Sequence, residues 1–211
     1  MSFRVYLFDL DGTLIDSVEL ILKSFHHTRE QHFGDRLPDE YYLRILGLTL
    51  RDTFKRMAET PEAVEAMVKT YVAHNLDHHD AMVRPYPGVV DVIRELVRRG
   101  ARLGLVTSKL HDNARRGLRV AGIEDAFEVV IGAEDVTRGK PDPEPVLLAL
   151  DRLGAAAAET LFAGDSPHDI ESGRHAGVKT AAATWGPFTR AVLEAAEPDF
   201  WLEKPEDLLG L

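Results

Sequence analysis

The chain contains no cysteine at any of its 211 positions. Disulfides, thiolate nucleophiles and thiolate metal sites are excluded, so any bound metal must use oxygen or imidazole. No apolar run approaches the ~20 residues that span a bilayer, and Met1-Ser2-Phe3-Arg4 leads straight into a strand pattern rather than a signal peptide. The expectation is a soluble, cytoplasmic protein. Positive charge is scarce as well: 25 lysines and arginines stand against 35 aspartates and glutamates, a formal net charge of −10. That balance argues against nucleic acid and anionic membrane as partners, since both need a basic footprint. Repeats and low-complexity tracts are missing, apart from the short Ala155-Ala156-Ala157-Ala158.

What is present begins with a 45% hydrophobic content, ordinary for a globular protein with a real core. The most informative stretch is Phe8-Asp9-Leu10-Asp11-Gly12-Thr13-Leu14, which follows the apolar run Val5-Tyr6-Leu7. The β-branched and aromatic run reads as a buried strand, and Gly12 supplies the backbone freedom for a sharp exit. Two carboxylates thus sit at the carboxyl end of a strand, where open α/β sheets place their ligands. Like charges one residue apart repel, so the pair needs a cation between them or one protonated member. A hard divalent ion with oxygen ligands would supply the cation. From this stretch alone, an Asp-Gly turn reads equally well.

After Thr13 the pattern turns helical. Helices are predicted from about 18 to Gly34, from Pro38 through Leu46, from Thr49 or Asp52 through Met57, and from Pro61 through His79, with no strand signal between 16 and 82. Beyond Pro85-Tyr86-Pro87-Gly88 the chain alternates strands (103–106, 127–131, 160–163, 178–183, 200–202) with helices (89–99, 111–121, 144–153, 169–175, 188–195). Such alternation predicts an α/β fold, a Rossmann-like doubly wound parallel sheet. About 90 residues separate its first strand from its second, where a simple crossover takes about 30. An inserted helical cap over 16–83 is the economical explanation, leaving a core of 1–15 and 84–211. The linkers near 14–16 and 83–88 become candidate hinges.

Three further strand ends carry chemistry. Thr107-Ser108 follows the strand at 103–106 and offers hydroxyl and backbone N–H groups to a phosphoryl oxygen, although it also reads as a helix N-cap. Gly139-Lys140-Pro141-Asp142-Pro143 frames one lysine rigidly; in an acidic crevice its ammonium would neutralise a nucleophile and phosphoryl oxygens, and elsewhere it is a solvated loop residue. Gly164-Asp165-Ser166-Pro167-His168-Asp169 places Asp165 to complete an oxygen site for Mg²⁺, with Asp169 one helical turn on to orient it or the lysine. Together these point to phosphoryl transfer: a carboxylate attacks phosphorus, Mg²⁺ and Lys140 spread the equatorial charge, and an acid protonates the leaving oxygen.

Asp9-x-Asp11-Gly-Thr, Thr107 with Ser108, Lys140, and Gly164-Asp165 with Asp169 resemble the four motifs of the haloacid dehalogenase (HAD) superfamily of phosphohydrolases. The resemblance implies that Asp9 forms an aspartyl-phosphate and that Asp11 is general acid and then base. Thr107 would grip the phosphoryl group, Lys140 would steady Asp9, and Asp165 with Asp9 and the Asp11 backbone carbonyl would hold Mg²⁺. The helical insertion is similar to the type-1 cap of phosphoglycolate phosphatase-like and β-phosphoglucomutase-like members. More specifically, Ser24 to Thr28, Asp52-Thr53-Phe54, His78-His79-Asp80, Lys140 to Leu150 and Glu197 to Phe200 resemble the PpaX-type inorganic pyrophosphatases.

The expected substrate is therefore small and phosphorylated, with pyrophosphate first. Phosphoglycolate hydrolysis and a phosphomutase, in which phosphate passes from Asp9 to a substrate hydroxyl, are the alternatives, and four intact motifs argue against a non-catalytic module. His74 and His78, four apart on one helix, leave three readings open: a metal pair, a solvated or partly buried cap face, or a substrate role for His26, His27 or His79 with nearby arginines.

Overall fold

The computed structural model describes residues 3–211, so the leader expectation placed on Met1 and Ser2 falls outside the described residues. Val5–Phe8 forms β1, all four side chains buried. It is followed by the short β2 (Ile15–Asp16) and four helices, α1 (Val18–Phe33), α2 (Asp39–Leu43), α3 (Leu50–Phe54) and α4 (Pro61–Met82). After β3 (Arg84–Pro85) come α5 (Val89–Arg98), β4 (Arg102–Val106), α6 (His111–Ala121), β5 (Val129–Ile131) and α7 (Glu144–Leu153). The chain ends with β6 (Thr160–Gly164), α8 (Pro167–Ala176), β7 (Lys179–Ala183), α9 (Arg190–Glu194) and β8 (Phe200–Leu202).

Six strands form one parallel sheet in the order β5-β4-β1-β6-β7-β8. Val5 pairs with Arg102 of β4 on one side and Thr160 of β6 on the other. The chain fills one side of β1 first and then the other, so the strand order reverses at β1. Its carboxyl end is therefore the crevice where a doubly wound sheet binds its ligand. Strand alternation sends Tyr6 and Phe8 into one core layer, with Ile93, Leu96 and Leu118 of α5 and α6. Val5 and Leu7 enter the other, with Val146, Leu150 and Phe162.

The insertion between β1 and β4 has its own apolar centre. Phe25 of α1 stacks on Tyr42 with ring centroids 4.9 Å apart and meets Tyr71 of α4 at 4.8 Å. α4 starts as the sequence predicts, with Thr60 capping Ala63 N–H and Pro61 in the first turn. The reading of 16–82 as helical, without a strand, holds for α1 to α4 and the turns between them, and only its first residue, Asp16, belongs to a strand. β2 and β3 pair antiparallel, Ile15 with Pro85 and Asp16 with Arg84, and Tyr86 N–H donates to Leu14 O at 3.1 Å. Strands of two residues are too short to carry an alternation signal. The strand expected from Phe127 starts at Val129 because a 3₁₀ turn at Glu124–Ala126 precedes it. No helix among the described residues is long and apolar enough to cross a membrane.

Candidate active site

Asp9 follows β1 directly and continues its ladder, its N–H donating to Ala163 O at 2.9 Å. Thr107 follows β4 in the same way, its N–H on Ile131 O at 3.0 Å, and Asp165 follows β6. Strand register thus brings three of the sequence-predicted residues to one edge. Lys140 arrives from the loop before α7 and donates to Asp9 Oδ1 at 2.8 Å, Asp169 Oδ1 at 2.5 Å and Val106 O at 3.3 Å. All three ammonium hydrogens have acceptors, and the residue is only 3% exposed.

Oxygens of Asp9, Asp165 and Asp169 all lie within 4.8 Å of one another, and all three residues are buried. Burial pushes Asp9 up to about 7, against the pull of the Lys140 charge. Burial also lifts Asp165 well above the carboxylate range, helped by the negative charges of Asp169 and Asp9 and opposed by the Thr13 hydroxyl, 2.7 Å from Oδ1. Burial would draw the Lys140 ammonium down, but Asp169 and Asp9 override it and hold it above its ordinary value.

This donor set fits a hard divalent cation. Both Asp169 oxygens are engaged, Oδ1 by Lys140 and Oδ2 by Ser166 N–H at 3.0 Å and Ser166 Oγ at 2.7 Å in the cap of α8. Asp169 therefore positions the lysine, while Asp9 and Asp165 keep oxygen lone pairs for an ion. The space around Asp165 is kept by glycine: a Cβ on Gly12 would stand 2.5 Å from Asp165 Oδ2, and one on Gly186 2.4 Å from Asp165 Cβ. Gly12 also has φ +89°, a conformation costly for other residues.

A sequence model of haloacid dehalogenase-like hydrolases matches residues 6–183. The chain belongs to that family. Pyrophosphatase PpaX of Anoxybacillus flavithermus is 44% identical over all of this chain and 97% of its own length. A haloacid dehalogenase-like hydrolase from Bacteroides fragilis superposes with a TM-score of 0.91 at 32% identity, covering 98% of this chain and 100% of its own. A structure assigned as a phosphoglycolate phosphatase, from Haemophilus somnus, reaches 0.87 at 22% identity over 100% and 98%, and shows the shared fold. As a haloacid dehalogenase-like hydrolase of this branch, the chain is an enzyme acting on phosphoester or phosphoanhydride bonds.

Beside the buried cluster, Asp11 Oδ1 accepts from Lys109 Nζ at 2.7 Å and from Ser17 Oγ at 2.6 Å. Burial would raise this carboxyl, but the Lys109 charge and the two hydrogen bonds hold it below its usual range. Thr107 Oγ1 accepts the backbone N–H of Lys109 at 3.2 Å. Ser108 has a partner that the sequence does not reveal: its hydroxyl donates to Gly47 O of the insertion at 2.5 Å. The insertion crowds the core here, since a Cβ on Gly47 would lie 3.1 Å from Ser166 Oγ and one on Gly139 2.8 Å from the Thr49 methyl. Between them is a cavity of about 70 Å³, bordered by Asp9, Asp11, Thr107, Lys109 and Lys140 below and by Phe25, Leu46, Tyr71 and Asn75 above.

None of the insertion's histidines borders this cavity. His27, His74 and His78 stack in a row, with centroids 4.5 and 4.4 Å apart, and the acidic cluster is the only potential metal group of three among the described residues. Sequence reasoning passed over Lys109 and Asn75, gave Thr13 no role beyond its place in the Asp9-x-Asp11-Gly-Thr motif, and read Ser17 with Asp16 as a possible helix N-cap, whereas its hydroxyl goes to Asp11. For Lys109 a signal existed: it directly follows the Thr107-Ser108 motif in a strongly acidic chain.

Proposed function

We propose that the protein hydrolyses inorganic pyrophosphate to two phosphates through an aspartyl-phosphate on Asp9, with Mg²⁺ as its metal. The observation that carries the reading is the contact of Lys140 with Asp9 and Asp169 beneath a small cavity that holds a second ammonium, Lys109. Full-length similarity to a pyrophosphatase supports the substrate. Asp9, Asp165 and the Asp11 backbone carbonyl would hold Mg²⁺, which withdraws charge from the phosphoryl oxygens when bound.

Lys140 engages Asp9 Oδ1, so attack on phosphorus falls to Oδ2. The bond from phosphorus to the bridging oxygen breaks, and the second phosphate departs; Asp11, ionised beside Lys109 in the free protein, takes a proton from solvent as Lys109 turns to the substrate and gives it to that leaving oxygen. Asp11 then accepts a proton from the water that attacks the phosphorus of the aspartyl-phosphate and regenerates Asp9. Thr107 Oγ and the Ser108 N–H hold phosphoryl oxygens, and Lys140 balances charge throughout. Residues 16–83 act as a cap domain on the core of 1–15 and 84–211, excluding bulk water while the acyl phosphate exists.

A substrate panel with Mg²⁺ tests this reading. Phosphate release is expected to be faster from pyrophosphate than from phosphoglycolate or sugar phosphates. Preference for phosphoglycolate reassigns the substrate, and isomerised sugar phosphate without net phosphate release reassigns the reaction to a phosphomutase.

A further inference from the structure

The cavity has an uneven distribution of charge. Its upper wall, from the insertion, presents Ile21, Phe25, Leu46, Leu48, Tyr71 and Asn75 and no cation. Its two ammoniums both come from the core, and Lys140 already has an acceptor for each N–H. Lys109 differs, since its Nζ makes one side-chain contact, to Asp11 at 2.7 Å. Its side chain retains 11% exposure.

The backbone around Lys109 is pinned, and its ammonium is held at a single point, Asp11. Its N–H donates to Thr107 Oγ1 at 3.2 Å and its carbonyl accepts from Ala133 N–H at 2.9 Å. The four-carbon stem of a lysine is long enough to redirect its charge from a fixed root. When Nζ leaves Asp11, the Ser17 hydroxyl at 2.6 Å still holds the carboxylate. Across the cavity, Asn75 of α4 is 2% exposed, with Oδ1 unpartnered and Nδ2 only 3.4 Å from Ser24 Oγ. Oδ1 can only accept, so what the amide offers an anion is Nδ2, whose second N–H is not used by Ser24.

We propose that Lys109, with the Asn75 amide opposite, forms the subsite for the far anionic group of the substrate, and that Lys109 passes from Asp11 to that group on binding. The inference rests on the phosphohydrolase reading and deepens it. The transferring phosphoryl lies over Asp9, and the far phosphate of pyrophosphate then meets the one cavity cation with N–H groups to give. A substrate with an uncharged far end gains nothing from Lys109.

The test measures KM and kcat for pyrophosphate, phosphoglycolate and p-nitrophenyl phosphate in the wild type, Lys109→Met and Lys109→Arg. Losing one charge-assisted hydrogen bond raises KM by about tenfold or more. That rise is expected for pyrophosphate in Lys109→Met, with p-nitrophenyl phosphate changed less than about threefold and Lys109→Arg restoring most of the loss. Equal changes for the charged and uncharged far ends, or no change in either, overturn the inference, because Lys109 then acts through Asp11 or not at all. If Lys109→Met does not fold, amine acetylation of the wild type read by mass spectrometry replaces it. Pyrophosphate must then protect Lys109 and p-nitrophenyl phosphate must not; protection by both or by neither overturns the proposal. A wild type that prefers phosphoglycolate defeats the pyrophosphatase reading, whereas the Lys109 inference stands or falls on whether the charged phosphoglycolate tail shows the same selective rise.

Discussion

Lys140 and Asp169 meet at 2.5 Å with each side chain 1% exposed, a buried ion pair whose members lie 29 residues apart. The pair fixes the lysine that reaches Asp9. Asp169→Asn leaves the ammonium with one carboxylate, and breaking a buried pair costs on the order of 3 kcal/mol. At about 2–4 °C per kcal/mol for a chain of this size, the melting temperature should fall by roughly 6–12 °C. The turnover number should fall as well; an unchanged melt would show that the pair adds nothing net.

Asp9→Asn keeps the shape and removes the proposed nucleophile. Phosphate release from any substrate should drop by about three orders of magnitude or more, with the circular dichroism spectrum retained. Substantial residual turnover would eliminate the aspartyl-phosphate pathway whatever the substrate.

The crowded carboxylates give a metal test independent of activity. Binding at about 100 times Kd stabilises a fold by about 2.7 kcal/mol, so saturating Mg²⁺ should raise the melting temperature of the wild type by about 5–10 °C. Chelation should reverse the shift and abolish turnover. Asp165→Asn should lose the response; a full Mg²⁺ shift in that variant would locate the ion elsewhere.

Ser108 and Thr107 are neighbours with different partners, so their alanine variants should differ in kind. Thr107→Ala removes a proposed phosphoryl ligand and should lower kcat/KM by about tenfold or more. Ser108→Ala removes the contact with Gly47 O and should instead increase proteolytic cutting in the 83–88 linker, with a smaller kinetic loss. Identical cutting of the wild type and Ser108→Ala would mean that this contact does not hold the insertion down.

Acid should weaken the fold through His79. Burial depresses its pKa below the ordinary 6.5, more than the Asp80 hydrogen bond raises it. The unfolded chain therefore takes up a proton near 6.5 that the folded chain refuses, so stability is complete above that pH and declines as pH falls below it. Asp9 and Asp165, which burial raises, take up protons in the fold over the same range and offset this loss, so the His79 effect is read as a difference: from pH 7.5 to 5.5 the melting temperature of His79→Leu should gain on that of the wild type. Parallel slopes in the two proteins would assign the effect to other groups, such as His168, which burial also depresses.

Much of the site was legible because a strand end is a local signal. Asp9, Thr107 and Asp165 each follow an apolar run, and parallel register carries them to one edge. The insertion was legible from the long interval between Phe8 and Arg102. The contacts that close the site were not, because they join positions with no shared periodicity: Lys109 to Asp11 over 98 residues and Ser108 to Gly47 over 61. A lysine after Thr-Ser reads as loop until the fold shows what it touches.

The antiparallel pairing of Ile15 with Pro85 and Asp16 with Arg84 means that the insertion departs and returns through one narrow neck. Every strand of the large sheet lies on the far side of that neck. Whatever is spliced between Asp16 and Arg84 can be lengthened, shortened or exchanged without altering the register that sets Asp9 beside Asp165. The insertion can therefore be remodelled in descendants of this chain while the sheet edge that carries Asp9, Lys109 and Asp165 stays as it is.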